Sequence, residues 1–208
     1  MEFFEIIEKI VEPISIIIAS IVAIWGILSW KREAAWRKEN EVAEETLCLL
    51  YDIKDRIRRI RNPSSIGPEG SSRTKEEGES IDESNAQDAY FVIKERYNKE
   101  QEAFNLISSK KYKFAAIFGK EYLTVLADID SIINSIFTAY YIIHIAEFER
   151  KKHRIKYIPE REEDRIKEIE KWYSLIYFDP TKETDEIENR VNSNIVKIEN
   201  VCKKFLLN

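Results

Sequence analysis

From Ile14 to Trp30 the chain reads ISIIIASIVAIWGILSW, an uncharged run flanked on both sides by sequence rich in charge. At about 1.5 Å per residue, such a run in helical form is just long enough to cross the hydrocarbon core of a bilayer. Trp25 and Trp30 sit toward its C-terminal end and Trp36 lies just beyond. Indole rings favour the lipid–water interface, so their placement fits a span. The pattern predicts a short N-terminal segment at 1–13, a transmembrane helix at 14–30 and a helical body at 31–208. A cleaved signal peptide fits less well, because it needs a basic start. The first 13 residues instead hold four glutamates against Lys9 alone.

Beyond the run, apolar positions recur at spacings of three and four. Thr46, Leu50, Ile53, Ile57 and Ile60 form one such stripe, on a helix expected to continue from Lys31 to Asn62 and to stop before Pro63. Residues 63–84 hold three of the five glycines and many charges. That composition predicts a disordered surface loop. A second helix is expected from about Ala86, with Ala86, Tyr90, Ile93, Tyr97, Phe104 and Ile107 on one face. A break is expected between Ser108 and Lys120. Tyr122 to Phe148 is the most apolar helix of the body, yet Asp128, Asp130, Asn134 and His144 interrupt it. Charge in lipid is costly, so it is expected as the central helix of a bundle rather than a second span. A further helix is expected from Glu160 to Phe178. A last one opens at Asp179-Pro180 and carries Ile187, Val191, Ile195, Ile198, Cys202 and Phe205 on one stripe. The fold class is therefore all-α: one N-terminal transmembrane helix continuing into a cytosolic four- to five-helix bundle.

Orientation follows from the basic residues. Lys31, Arg32, Arg37 and Lys38 crowd the C-terminal side of the run, against Lys9 before it. The positive-inside rule then places the body in the cytosol, with the span in the inner (cytoplasmic) membrane. The net charge of −5 argues against a dedicated duplex-DNA binder. Cys48 and Cys202 are too few for a disulfide framework or an unaided zinc site.

No phosphate-binding glycine loop is present, and the two histidines, His144 and His153, lack the Glu-x-x-His pairing of di-iron bundles. Helical-bundle ribonucleases of the HEPN type carry an Arg followed by a His after four to six residues. Here only two residues separate Arg150 from His153. The expectation is accordingly a non-enzymatic protein with no cofactor, no metal and no identified small-molecule substrate.

Two strips remain as candidate sites. Lys54, Arg58 and Arg61 share a helix face, with Arg56 and Arg59 beside them, and are candidate partner-binding residues for a protein or RNA segment. Further basic clusters occur at Lys110, Lys111 and Lys113 and at Arg150, Lys151, Lys152, Arg154 and Lys156. The acidic segment from Glu69 to Glu83 is a candidate internal occupant of the first cluster. Within the span, Ser15, Ala19, Ala23 and Gly26 fall on one side, the pattern that lets transmembrane helices approach closely. Glu8 and Glu12 join that side if the helix runs back through Pro13. Proline is comfortable only in a first helical turn, so that continuity is not expected.

Residues 36–70, WRKENEVAEETLCLLYDIKDRIRRIRNPSSIGPEG, with KFAAIFGKE at 113–121, resemble a family of uncharacterised bacterial single-pass membrane proteins. The layout, one span before a cytosolic bundle, is also similar to membrane accessory proteins of RNA-targeting CRISPR systems. That likeness implies a homo-oligomeric pore or permeability effector in bacterial defence. The alternative expectation is an inner-membrane scaffold that tethers a protein or RNA partner.

Overall fold

The 59 residues of α1, Glu2–Ile60, form one unbroken helix. The computed structural model describes residues 2–65, 67–153, 162–182 and 184–206, with side chains described outside 2–10, 12, 145–153 and 162–165. Four further helices follow: α2 (Ile81–Phe118), α3 (Tyr122–His153), α4 (Glu162–Ile176) and α5 (Glu186–Leu206). Among the described residues there is no strand, and the fold is all-α.

Only the C-terminal half of α1 enters the bundle. There α1 packs against α2 and α5, and α3 packs against the same two helices from the other side. The result is a four-helix square with α1 and α3 on its diagonal. Neighbours run antiparallel, as shown by Arg58 with Glu188 and Cys202 with Ala43 across α1 and α5. α4 packs principally on α3.

The core is aliphatic. Leu50, Ile53, Ile57 and Ile60 of α1 meet Ile93, Phe104 and Ile107 of α2, Ile129, Ile132 and Ile136 of α3, and Ile187, Val191, Ile195 and Ile198 of α5. The three- and four-residue spacings thus close on one another. Burying each such side chain contributes roughly 1.5–3 kcal/mol.

Several boundaries differ from the sequence expectation, each for a local reason. Pro13 lies inside α1 without ending it. The break expected across Ser108–Lys120 is confined to residues 119–121, because Phe114 and Ala115 are buried and hold α2 in register to Phe118. Gly119 sits at φ +127°, a conformation that L side chains rarely adopt. α5 begins at Glu186 rather than at Pro180, since Asp185 supplies the cap: its Oδ1 accepts from the Glu188 N–H at 2.9 Å.

The segment expected as a disordered loop lies instead against α2 through named contacts. α2 starts at Ile81, five residues early, behind a reciprocal capping box between Ser80 and Glu83. Arg73 donates to Glu79 and, at 2.6 Å, to Asp88, with 6 % of its side chain exposed. Gly70 approaches α2 so closely that a Cβ would stand 1.9 Å from the Asp88 carbonyl oxygen. Polar contacts replace the apolar burial that the composition could not provide.

Candidate functional site

Between Val11 and Trp30 the described apolar side chains of α1 are exposed, and none of them is buried against another described residue. Val22 is 65 % exposed and Trp25 78 %. Contiguous apolar exposure on this scale is unusual for a protein surface and marks an interaction surface, for lipid or for a protein partner. The polar atoms here are satisfied within the helix: Ser15 Oγ donates to the Val11 carbonyl and Ser20 Oγ to that of Ile16, both at 2.8 Å. That is the condition for placing hydroxyls in lipid. α1 is one of two described helices long and apolar enough to cross a membrane. The other, Tyr122–His144 on α3, has 39 % of its most apolar stretch buried in the bundle.

Ser15, Ala19, Ala23 and Gly26 all lie on this exposed cylinder. Gly26 floors a shallow notch of about 390 Å³ bounded by Ile21, Val22, Trp25 and Ser29. A Cβ added at Gly26 would meet nothing within 4 Å, so packing inside the chain does not call for glycine there. The helix continues through Pro13, so positions 8 and 12 are helical, while the side chains of Glu8 and Glu12 lie outside those described. On the other side of the tryptophans, Lys31, Arg32, Arg37 and Lys38 stand exposed on the same helix, Arg37 paired with Glu33 at 2.5 Å.

The basic strip behaves differently. Lys54, Arg58 and Arg61 do share a face, and that face turns toward the start of α5. Lys54 pairs with Glu188 at 3.2 Å, and Arg58 Nε donates to the same carboxylate at 3.0 Å. Burial would raise the Glu188 carboxyl, but hydrogen bonds from Arg58 and Lys54 outweigh it and hold it below its ordinary value. Arg61 is wholly buried and points inward, so it is not available to a partner. The occupant of the strip is the start of α5, and the acidic segment Glu69–Glu83 lies against α2 instead. Arg56 and Arg59 both donate to Glu100, and Lys110 to Glu45 at 2.5 Å. Lys111 reaches Asp130 at 3.0 Å. The third basic cluster, at 150–156, falls outside the described side chains.

The remaining candidate chemistry is packed away. His144 stacks on Tyr140 and meets Tyr90 edge-on, with ring centroids 6.3 and 5.2 Å apart. The Cys202 thiol is pushed up to about 11 by burial. Among the described residues no group of three His, Cys, Asp or Glu side chains is placed to hold a metal.

Sequence reasoning missed the junction of α3 with α5. Arg190 Nη2 donates to Asp128 at 2.6 Å and Asn194 Nδ2 to the same carboxylate at 2.8 Å. The signal was available, for Asn194 shares the apolar stripe of α5 and a buried amide needs a partner. Beside this junction a groove of about 700 Å³ runs between α3 and α4, lined by Ser131, Asn134, Thr138 and Trp172.

The chain matches no protein-family model, and no characterised protein or solved structure matches it.

Proposed function

We propose that the chain is a single-pass membrane protein that acts by assembly rather than by catalysis, with α1 crossing the bilayer between Ile14 and Trp30. One observation carries the reading: an apolar cylinder with nothing packed on it belongs to the same unbroken helix as the core of a polar bundle. Lipid is the solvent that such a surface suits. Lys31, Arg32, Arg37 and Lys38 keep the bundle on the cytosolic side of the inner membrane.

Copies then associate through the face of Ser15, Ala19, Ala23 and Gly26, where a neighbouring helix fills the notch that the chain itself leaves open. The outcome is a homo-oligomer that alters membrane permeability, in keeping with the pore-forming layout it resembles. For the alternative, an inner-membrane scaffold that tethers a protein or RNA partner, the two described basic clusters offer less support, since they find counter-charges within the bundle.

Particle mass in detergent or nanodiscs tests this. Assemblies of several copies are expected, with dye or ion leakage from loaded vesicles. A monomer that leaves vesicles tight would refute both the assembly and the permeability role. Failure of the full chain to partition with lipid would refute the anchor itself.

A further inference from the structure

Arg61 stands where α1 ends, α4 ends and α5 begins. Its side chain has no exposed surface. The guanidinium donates through Nε to the Leu175 carbonyl at 2.9 Å and through Nη2 to those of Ser174 and Tyr177 at 2.7 and 3.1 Å. These carbonyls belong to the last turn of α4 and the residue after it, where helical partners run out. The same guanidinium forms a two-pronged pair with Asp185, at 2.9 and 2.8 Å, and Asp185 is the cap of α5. In return the Phe178 N–H donates to the Arg61 carbonyl at 2.7 Å. One side chain thus closes the end of α4 and holds the start of α5.

α4 depends on this junction more than any other element does. α1, α2 and α5 each pack along two neighbouring helices, while α4 has one principal neighbour, α3. It docks there through Ile169, Trp172, Tyr173, Leu175 and Ile176. An element with a single packing face is the natural unit of local opening. Among the described residues, its polar tether leads back to α1 through Arg61.

We infer that Arg61 is a latch, by which α1 controls whether α4 stays docked on α3. α1 is helical without interruption from the apolar segment to the latch. A displacement of that segment is therefore carried to the acceptor carbonyls of α4 by about eight turns of rigid helix. This second half of the inference rests on the membrane reading above, whereas the latch does not. When the guanidinium shifts, the α4 carbonyls and the Asp185 carboxylate lose their donors together, and α4 opens while the four-helix square holds. α4 is then the part of the domain that reports the state of the span.

Hydrogen–deuterium exchange of the full chain in phosphatidylcholine nanodiscs tests the two halves separately. In Arg61→Met, amides of residues 166–182 are expected to exchange roughly a hundredfold faster or more. That is the consequence of stranding one partner of a buried ion pair. α2 and the C-terminal half of α5 keep their protection. Asp185→Asn, which retains the cap and loses the charge, gives the same pattern by a smaller factor. Acceleration spread evenly over all helices, or unchanged exchange in α4, would overturn the latch.

Coupling is read by changing bilayer thickness. Because the span is short, long-chain lipid displaces it. Exchange in α4 should then differ between short- and long-chain nanodiscs for the wild type, and should not differ when Ala34→Gly and Ala35→Gly soften the exposed neck. Equal α4 exchange in both lipids for the wild type overturns the coupling. Residues 14–30 are followed in the same data. If lipid gives them no protection, the membrane reading fails, while the Arg61→Met comparison still decides the latch.

Discussion

Residues 14–30 and residues 42–60 are two stretches of one helix, similar in length and both rich in isoleucine, and one is exposed where the other is buried. In the second, Val42, Leu50, Ile53 and Ile57 find α2 and α5 alongside and are buried. In the first, Ile16, Ile21 and Ile24 have no neighbour and more than half of each is exposed. The difference lies in how the apolar residues are distributed. From Val42 onward they keep to one face, with charges such as Glu44, Asp52 and Asp55 between them, so that stripe needs a partner on one side only. Between Ile14 and Trp30 they run all round, which no single protein neighbour covers.

Substitutions at matched positions probe that contrast. Ile53→Ala empties a site with no exposure and should cost the bundle about 2–5 kcal/mol in chemical denaturation. Ile21→Ala should leave that denaturation curve where it was. An equal loss from both would mean that the first stretch packs on the bundle after all. Ile21→Arg reverses the roles: it places a charge mid-span and should cost about 2.5–3.5 kcal/mol of membrane insertion, read as the fraction of chain extracted by alkali, with bundle folding intact.

Smaller effects sharpen the comparison within the span. Gly26→Leu and Ala19→Leu should each weaken association by about 1 kcal/mol while insertion persists, and Ile17→Leu should change neither. Sedimentation in detergent measures this. If Ile17→Leu dissociates the assembly and the other two do not, the contact face is on the opposite side.

Acid has the mildest effect near neutrality and acts on the bundle alone. Hydrogen bonds from Arg73 and from the Glu76 N–H lower the Glu79 carboxyl to about 2, and those from Lys99, Ser72 and Gly70 lower Glu95 to about 2, both from an ordinary 4.5. A carboxyl depressed on folding contributes stability that is complete above its unfolded value. That contribution is lost as pH falls through the folded one. The melting temperature should therefore hold steady above about pH 5 and decline from there toward pH 2, with the 62–80 segment losing protection first. A melting temperature that rises on acidification in that window would show that these pairs do not form.

The apolar stripes were legible because periodicity alone defines a face. Spacing alone turns Thr46, Leu50, Ile53, Ile57 and Ile60 inward, and likewise Ile187, Val191, Ile195, Ile198 and Cys202, and these are buried, while Phe205 at the end of the same stripe is half-buried. Arg61 was not legible for the same reason: it continues the strip of Lys54 and Arg58, and nothing local separates a solvated arginine from a buried one. What separates them is Asp185, more than a hundred residues away, together with the carbonyls of a helix end. Arg73 repeats the lesson. A segment dense in glycine and charge reads as disordered until Asp88 and Glu79 are known to converge on it. Buried charge is specified by its partners, which here stand from 6 to 124 residues away, and helical periodicity records none of them. The notch at Gly26 sits between these cases. The small residues were visible, and the emptiness beside them became visible only in three dimensions.

The unbroken length of α1 has a mechanical consequence. Ile60 lies about 45 Å past Trp30 along the helix axis. Single spans commonly tilt by about 20° from the bilayer normal, and a rod of that reach then carries its far end roughly 15 Å sideways. A change of tilt too small to alter burial in the lipid would thus swing the whole bundle by more than the width of a helix. In a ring of such rods, modest leaning of the spans would open or close the circle of bundles beneath them like the blades of an iris.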